Sequence, residues 1–295
     1  MKTAVPSAYG LLRELSRAFR GEGIEEPERE AEILVCHALG ISRTELYMDA
    51  CHVDERALRV LDSLFRRRLR REPIEYLTGC AEFYGMRFRV GPGVLIPRPE
   101  TEMLVEEAVR ILNARKSAAV DVLDICTGSG CIAAAIAAEV PSARVVATDI
   151  SAAAIGYAVE NARLNSAGNV VFVQGDLFDP VGGRDFHIIV SNPPYVKSGD
   201  LAGLQREVSG YEPREALDGG EDGLGFYRRI LEEAPQHLRE DGVLLLELGA
   251  GQCGAVAGIA SECGLRVARV LKDLAGIERV MVLEGAGGSG PCSRG

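Results

Sequence analysis

From residue 98 onward, short apolar runs rich in valine and isoleucine alternate with segments of helical length. That alternation restricts the fold more than any other feature of the chain. The runs fall at 120–125, 144–149, 169–173, 186–191, 243–248, 265–271 and 278–284. Helices are expected at 130–139 and 151–165, with a short turn near 177. Strand–helix–strand crossovers are right-handed and build a mostly parallel sheet, so residues 98–284 read as one α/β domain with seven strands.

The N-terminal part has a different character. Leu11, Leu12, Leu15 and Phe19 recur at helical spacing, as do Ala31, Leu34, Val35 and Leu39. Gly21-Glu22-Gly23 separates these two helices and Gly40 ends the second. Ser42 stands three residues before Glu45, a capping-box spacing that starts another helix. Leu58, Leu61, Leu64, Phe65 and Leu69 mark a longer one. Residues 1–75 therefore read as a small all-α helical bundle. The alternation around Phe83–Val90, closed by Gly91-Pro92-Gly93, predicts a β-hairpin linker over 76–97. Residues 285–295 are expected to be a flexible tail. Arg66, Arg67, Arg68, Arg70 and Arg71 form a dense basic run, readable as a solvated helix face or as a surface for an anionic partner.

The net charge of −10 argues against a general nucleic-acid binder, and no run of residues is apolar for long enough to span a membrane. The opening MKTAVPSAYG has no long apolar stretch, so a cytoplasmic protein is expected. Eight cysteines are scattered with no C-x-x-C pair, and four histidines are dispersed. Reduced thiols and no metal site are expected.

The strand 120–125 runs into Cys126-Thr127-Gly128-Ser129-Gly130, a tight glycine turn before an alanine-rich helix. Such a turn brings backbone N–H groups close to a ligand. Asp149, with Ile150 after it, ends the next strand, where a carboxylate can accept hydrogen bonds from both hydroxyls of a ribose. Gly128-x-Gly130-x-x-Ala133 also fits a dinucleotide fingerprint, so NAD stays in view. Two features favour S-adenosylmethionine (SAM). Asp124, just before the turn, suits a cationic methionine moiety and would repel a pyrophosphate. Asp176 and Leu177, after the third strand, suit the amine and the face of an adenine.

Asn192-Pro193-Pro194-Tyr195 follows the strand 186–191. Two prolines remove two backbone donors and hold the loop extended, leaving the Asn192 and Pro193 carbonyls to accept from a ligand. The Asn192 carboxamide both donates and accepts, and Tyr195 adds an aromatic face. Together they make a clamp for a planar –NH2 group, with Asn192 placed to meet both cofactor and substrate. Pro194 completes the substrate side.

These residues together resemble the SAM-dependent methyltransferases of class I that carry an N-P-P-Y loop. The likeness extends over nearly the whole chain through Pro73–Gly79, Phe83-Tyr84-Gly85, Ile96–Glu102, Tyr211–Leu217, Gly220–Leu224, Phe226-Tyr227-Arg228 and Asp273–Arg279. On those segments the chain is similar to the HemK family. The resemblance implies a Rossmann-like, seven-stranded SAM-methyltransferase domain behind a helical substrate-recognition domain. It also implies transfer of a methyl group to N5 of the glutamine in the Gly-Gly-Gln motif of class I peptide chain release factors. Cys126 departs from the family, which commonly has glycine there, and a small residue should have little effect.

Two rival readings stand beside this one. An exocyclic amine of adenine or guanine in DNA or RNA would fit the same clamp, with the base exposed and stacked on Tyr195. The acidic charge and an aromatic content of 5% weigh against it, and no stable nucleic-acid partner is expected. A non-catalytic SAM-fold scaffold is the second rival, opposed by an intact Asn192 clamp together with Asp149. The segment between Tyr195 and Arg228, rich in glycine and carboxylates, is expected to contain a long loop bordering the glutamine site.

Overall fold

Local capping chemistry sets the helices of the N-terminal part. In a computed structural model that describes residues 7–48, 52–115 and 120–285, α1 (Ala8–Gly21) begins where Ser7 Oγ accepts from Gly10 N at 3.0 Å. Helix α2 (Pro27–Leu39) has proline in its first turn and stops at Gly40, whose φ of 66° is left-handed. Helix α3 (Arg43–Tyr47) carries the complete capping box: Ser42 Oγ accepts from Glu45 N, and Ser42 N donates to Glu45 Oε2 at 2.8 Å. Helix α4 (Glu55–Leu69) is capped by Asp54, and the short α5 (Ile74–Thr78) follows. Their apolar faces bury Leu11, Leu15, Phe19, Leu34, Leu46, Leu61 and Leu77 together.

The chain divides into two compact units, Met1–Gly79 with Gln205–Tyr211, and Cys80–Leu204 with Glu212–Gly295. The division falls after Gly79, where the sequence suggested about 75, because α5 continues the helical part. The excursion Gln205–Tyr211 explains the arginine run. Arg68, whose side chain is only 4% exposed, shares its guanidinium between Glu30 and Glu207. Arg71 reaches Glu207 and the carbonyl of Glu22; Arg67 pairs with Glu72 and Arg66 with Asp62. The run is thus largely engaged inside its own unit, and Arg68 is a buried ion-pair centre rather than part of a solvated face.

In the second unit, β1 (Cys80–Phe83) and β2 (Met86–Arg89) form the expected hairpin around Tyr84 and Gly85, both at positive φ. Then come α6 (Glu102–Ala114), β3 (Val120–Ile125), α7 (Cys131–Glu139), β4 (Ala143–Asp149), α8 (Ala152–Leu164), β5 (Val170–Gln174) and β6 (Phe186–Ser191). Past α9 (Arg206–Tyr211), in the first unit, lie α10 (Gly225–Glu233), β7 (Leu238–Glu247), α11 (Cys253–Glu262), β8 (Leu265–Lys272) and β9 (Glu278–Gly285). The sheet order is β5-β4-β3-β6-β7-β9-β8, parallel except for β9, which pairs antiparallel with β7 and β8.

The strands match the alternation in the sequence within a residue or so, except β7. It starts at Leu238 instead of 243, through a polar stretch with a register shift against β6. One apolar layer packs α6 and α7 on one face; another packs α10 and α11 on the other. The segment after Tyr195 is not a bare loop: three short helical turns and a Val196–Asp218 bridge organise it. The expected tail lies, beyond Gly285, outside the described residues. The described cysteines are free thiols, and Cys51 and Cys292 lie outside the described residues.

The path of the chain fixes where a ligand can sit. From β3 it moves outward to β4 and β5, then returns to lay β6 on the other side of β3. Such a reversal opens a crevice beyond the carboxyl ends of the central strands.

Candidate active site

A cleft lies at that end of the sheet. Cys126, Thr127, Gly128, Ser129, Asp149, Ile150, Asp176, Leu177, Asn192 and Pro194 line it, so most of the residues singled out in the sequence meet in one place. Asp124, Gly130, Pro193 and Tyr195 support the lining from behind or beside it.

The glycine turn holds its shape through left-handed backbone at Cys126 (φ 60°), Gly128 (φ 54°) and Gly130 (φ 77°). Cysteine in that region is strained relative to glycine, which the small size of the side chain does not remove. Beneath the turn, Asp124 is fully buried. Its Oδ2 accepts from Thr127 Oγ1 at 2.5 Å, while Oδ1 has no hydrogen-bond partner. Burial pushes its carboxyl up to about 7. Asp124 therefore lies beneath the lining of the cleft.

Asp149 ends β4 with each oxygen already oriented, Oδ2 accepting from Gly128 N at 2.8 Å and Oδ1 from Ser151 N at 2.9 Å. Burial raises its pKa, opposed by those two N–H groups. Each oxygen keeps a further lone pair for a hydroxyl donor. Asp176 Oδ2 accepts from Arg229 at 2.6 Å. Leu177 sits at φ 44° with its carbonyl accepting from Thr148 Oγ1 at 3.0 Å, while Ile150 stays 62% exposed at the mouth.

On the other side, Ser191 Oγ donates to the Ile125 carbonyl at 2.7 Å, tying β6 to β3 just before the clamp. Asn192 Nδ2 donates to Thr101 Oγ1 at 3.1 Å. Thr101 donates in turn to Glu247 Oε2 at 2.6 Å, and Tyr195 OH donates to Glu247 Oε1 at 3.3 Å. Glu247 is 2% exposed, and burial pushes its carboxyl up to about 7. The Tyr195 carbonyl accepts from Gln252 Nε2 at 3.0 Å. An added Cβ at Gly219 would stand 2.8 Å from Tyr195 Cα, so only glycine lets that segment pack on Tyr195.

Sequence reasoning missed Glu247, behind the cleft, and likewise Arg98, Thr101, Glu215, Phe226 and Arg229, which line it. Most sit in segments that carried the family likeness without a role attached. Glu247 had a signal of its own: it is a lone carboxylate inside the apolar run Val243–Leu248.

A switch-point cleft with a glycine turn, a strand-end aspartate and an Asn-Pro-Pro-Tyr loop defines a Rossmann-like methyltransferase. The PrmC N-terminal domain matches residues 10–79 and the Methyltransferase small domain matches residues 101–206. The release factor glutamine methyltransferase of Thermodesulfovibrio yellowstonii is 45% identical over 256 residues, covering 87% of this chain and 92% of that protein. That of Geobacter sulfurreducens is 45% identical over 261 residues, covering 88% and 90%. A methyltransferase from Pyrococcus furiosus superposes with TM-score 0.51 at 22% identity, over 70% of this chain and 91% of that one, which bears on the fold alone. The chain belongs to the release factor glutamine methyltransferase family. It is accordingly a SAM-dependent methyltransferase. No helix among the described residues is long and apolar enough to cross a membrane.

Proposed function

We propose that this enzyme transfers the methyl group of SAM to N5 of the glutamine in the Gly-Gly-Gln motif of class I peptide chain release factors, in the cytoplasm, where translation ends. The observation that carries the reading is that Asn192 and Pro194 line the same cleft as the glycine turn and Asp149.

The donor set fits SAM. Asp149 offers two pre-oriented carboxylate oxygens for a vicinal diol, and Ile150 and Leu177 offer apolar cover for a flat heteroaromatic ring. Asp176 supplies an acceptor for its amine. Thr127, Gly128 and Ser129 bring backbone close, with Cys126 and Gly130 framing the turn. Asp124 acts from below, its unpartnered Oδ1 keeping negative potential under the methionine end. Bound SAM supplies an electrophilic methyl group on a sulfonium.

An amide nitrogen is a poor nucleophile because its lone pair is delocalised into the carbonyl. Positioning is therefore the enzyme's main task. Asn192 Oδ1 and the Pro193 carbonyl accept the two N–H bonds of the glutamine, which aligns the nitrogen with the methyl and favours its pyramidalisation. Pro194 and the Tyr195 ring wall the side chain. As the S–CH3 bond breaks and the N–CH3 bond forms, S-adenosylhomocysteine leaves and the nitrogen loses one proton to water. Orientation of this kind lowers the barrier by several kcal/mol, and fixed dipoles add to it.

Incubating the enzyme with radiolabelled SAM and a release factor, its Gly-Gly-Ala variant, total RNA or DNA tests the reading. Label is expected in the intact factor alone, and label in nucleic acid would replace the reading with an exocyclic-amine transferase. Asn192→Ala is expected to lower kcat at least about 100-fold with little change in SAM affinity. The helical unit adds grip on a second region of the factor, so kcat/KM for intact factor should far exceed that for a short Gly-Gly-Gln peptide. Equal values would remove that role.

A further inference from the structure

Asn192 can accept an N–H bond only if its carboxamide points the right way, and a carboxamide on its own has no preferred face. Two residues outside the Asn-Pro-Pro-Tyr loop carry that information. We propose that Glu247 and Thr101 are positioning residues that polarise the Asn192 carboxamide, keeping Oδ1 turned to the target amide.

The hydroxyl hydrogens decide this orientation, given the reading that Asn192 accepts from glutamine. Glu247 is buried at the end of β7, and both its oxygens receive hydroxyl donors, Thr101 at 2.6 Å and Tyr195 at 3.3 Å. As an ionised carboxylate it can only accept. The single hydrogen of the Thr101 hydroxyl is therefore spent on Glu247, and that oxygen can offer Asn192 nothing but a lone pair. Asn192 must answer with Nδ2, as it does at 3.1 Å, which leaves Oδ1 for an incoming donor. Tyr195 is held by the other oxygen, so both side chains of the clamp refer to one carboxylate.

A proton on Glu247 reverses this order. The carboxylic acid can donate to Thr101, whose hydrogen then turns to Asn192, and the carboxamide flips to present Nδ2 to a glutamine that has no use for another donor. The groups around Glu247 are Glu100 before α6, Arg279 on β9, Tyr195, Cys131 on α7 and Tyr227, whose OH donates to the Glu247 carbonyl at 2.8 Å. Burial outweighs the others and raises the carboxyl to about 7, so the ionised form is lost within the neutral range. Asp124 titrates in the same region but lies under the glycine turn, away from this chain of bonds.

The test measures kcat at saturating SAM, and the SAM dissociation constant, for wild type, Thr101→Val, Thr101→Ser and Glu247→Gln across the neutral range. Wild type is expected to lose kcat as pH falls through about 7. Thr101→Val, which keeps the shape and removes the acceptor, should lose about 10- to 100-fold in kcat with SAM binding unchanged, because a buried donor is left unsatisfied. Thr101→Ser should restore most of it. Glu247→Gln should lower kcat and abolish the component of the acid limb that wild type owes to Glu247. Wild-type kcat in Thr101→Val, an unchanged acid limb in Glu247→Gln, or equal loss in Thr101→Ser overturns the proposal. A wild-type enzyme that leaves the release factor unlabelled would instead strike the functional reading beneath it.

Discussion

Gly128 and Gly130 share one turn and one backbone region, yet adding a methyl group to each should do different damage. Both have left-handed φ, 54° and 77°. A side chain there costs about 1–2 kcal/mol, from which about 0.4–1 kcal/mol is recovered because alanine has less freedom to lose on folding. Gly128→Ala should thus destabilise by about 1 kcal/mol. At Gly130 the added Cβ would also stand 2.9 Å from Ala158 Cβ, 3.0 Å from Ala158 Cα and 3.2 Å from the Phe172 ring. Ala158 belongs to α8 and cannot swing aside, so α8 or the turn must move, at a further ~1–3 kcal/mol. Around Gly128, by contrast, no atom lies within 4 Å of the new Cβ, and Gly128 lines the cleft. Its methyl should weaken SAM binding on the order of tenfold. Urea unfolding followed by circular dichroism and titration calorimetry with SAM separate the two effects. Equal stability losses in the two variants would refute the reasoning, because φ alone would then govern the turn.

Arg68→Ala should destabilise the helical unit by about 3–5 kcal/mol, since it strands the carboxylates of Glu30 and Glu207, whereas Arg66→Ala should cost less than about 0.5 kcal/mol; matched unfolding curves would dismiss the buried-centre account. Cys126→Gly relieves about 1–2 kcal/mol of backbone strain but adds about 0.4–1 kcal/mol of unfolded-chain entropy and loses ~0.8 kcal/mol of the thiol's packing on the second apolar layer, so its unfolding midpoint and SAM affinity should stay close to wild type. Glu247 has a folded pKa of about 7, raised above its unfolded value, so its protonation stabilises the fold below the unfolded pKa. That contribution, at most about 3 kcal/mol, is lost as pH rises through about 7. The stability difference between wild type and Glu247→Gln should therefore shift against wild type as pH rises toward 8, and a constant difference would contradict the burial of an ionisable group there.

Local chemistry made much of this molecule legible. Valine- and isoleucine-rich runs, the Ser42–Glu45 box and Gly40 are short-range signals, and each element they mark is present. The glycine turn and the Asn-Pro-Pro-Tyr loop are also local, which is why they were found without knowledge of their spatial neighbours. What escaped depends on contacts between distant residues. Glu207 meets Arg68 across 139 positions, and Thr101 meets Glu247 across 146. No periodicity encodes such pairs. Asp124 was legible as a carboxylate beside the turn, but its full burial and its bond to Thr127 depend on packing that no local signal encodes.

The two ends of strand β3 show how the same residue type serves opposite ends. Asp121, near the start, is saturated: Arg144 holds both oxygens at 2.8 and 2.9 Å and Arg239 adds a third contact at 2.8 Å. Its pKa is lowered, the arginines outweighing burial. Asp124, three residues further on, has a single side-chain partner and a raised pKa. Glu247 stands at the matching end of β7 with two hydroxyls as its side-chain hydrogen-bond partners, while the nearby Arg279 is bonded to Asp273 instead. Under-compensated buried carboxyls destabilise a fold, and here they gather at the carboxyl ends of the parallel strands, where the cleft opens. An arginine bonded to Asp124 would neutralise the potential proposed to suit a sulfonium, and one bonded to Glu247 would fix its charge and displace the Thr101 hydroxyl from it. The polar groups left incomplete are therefore those that the proposed reaction would use, while the carboxylate at the opposite end of β3 is closed by ion pairs.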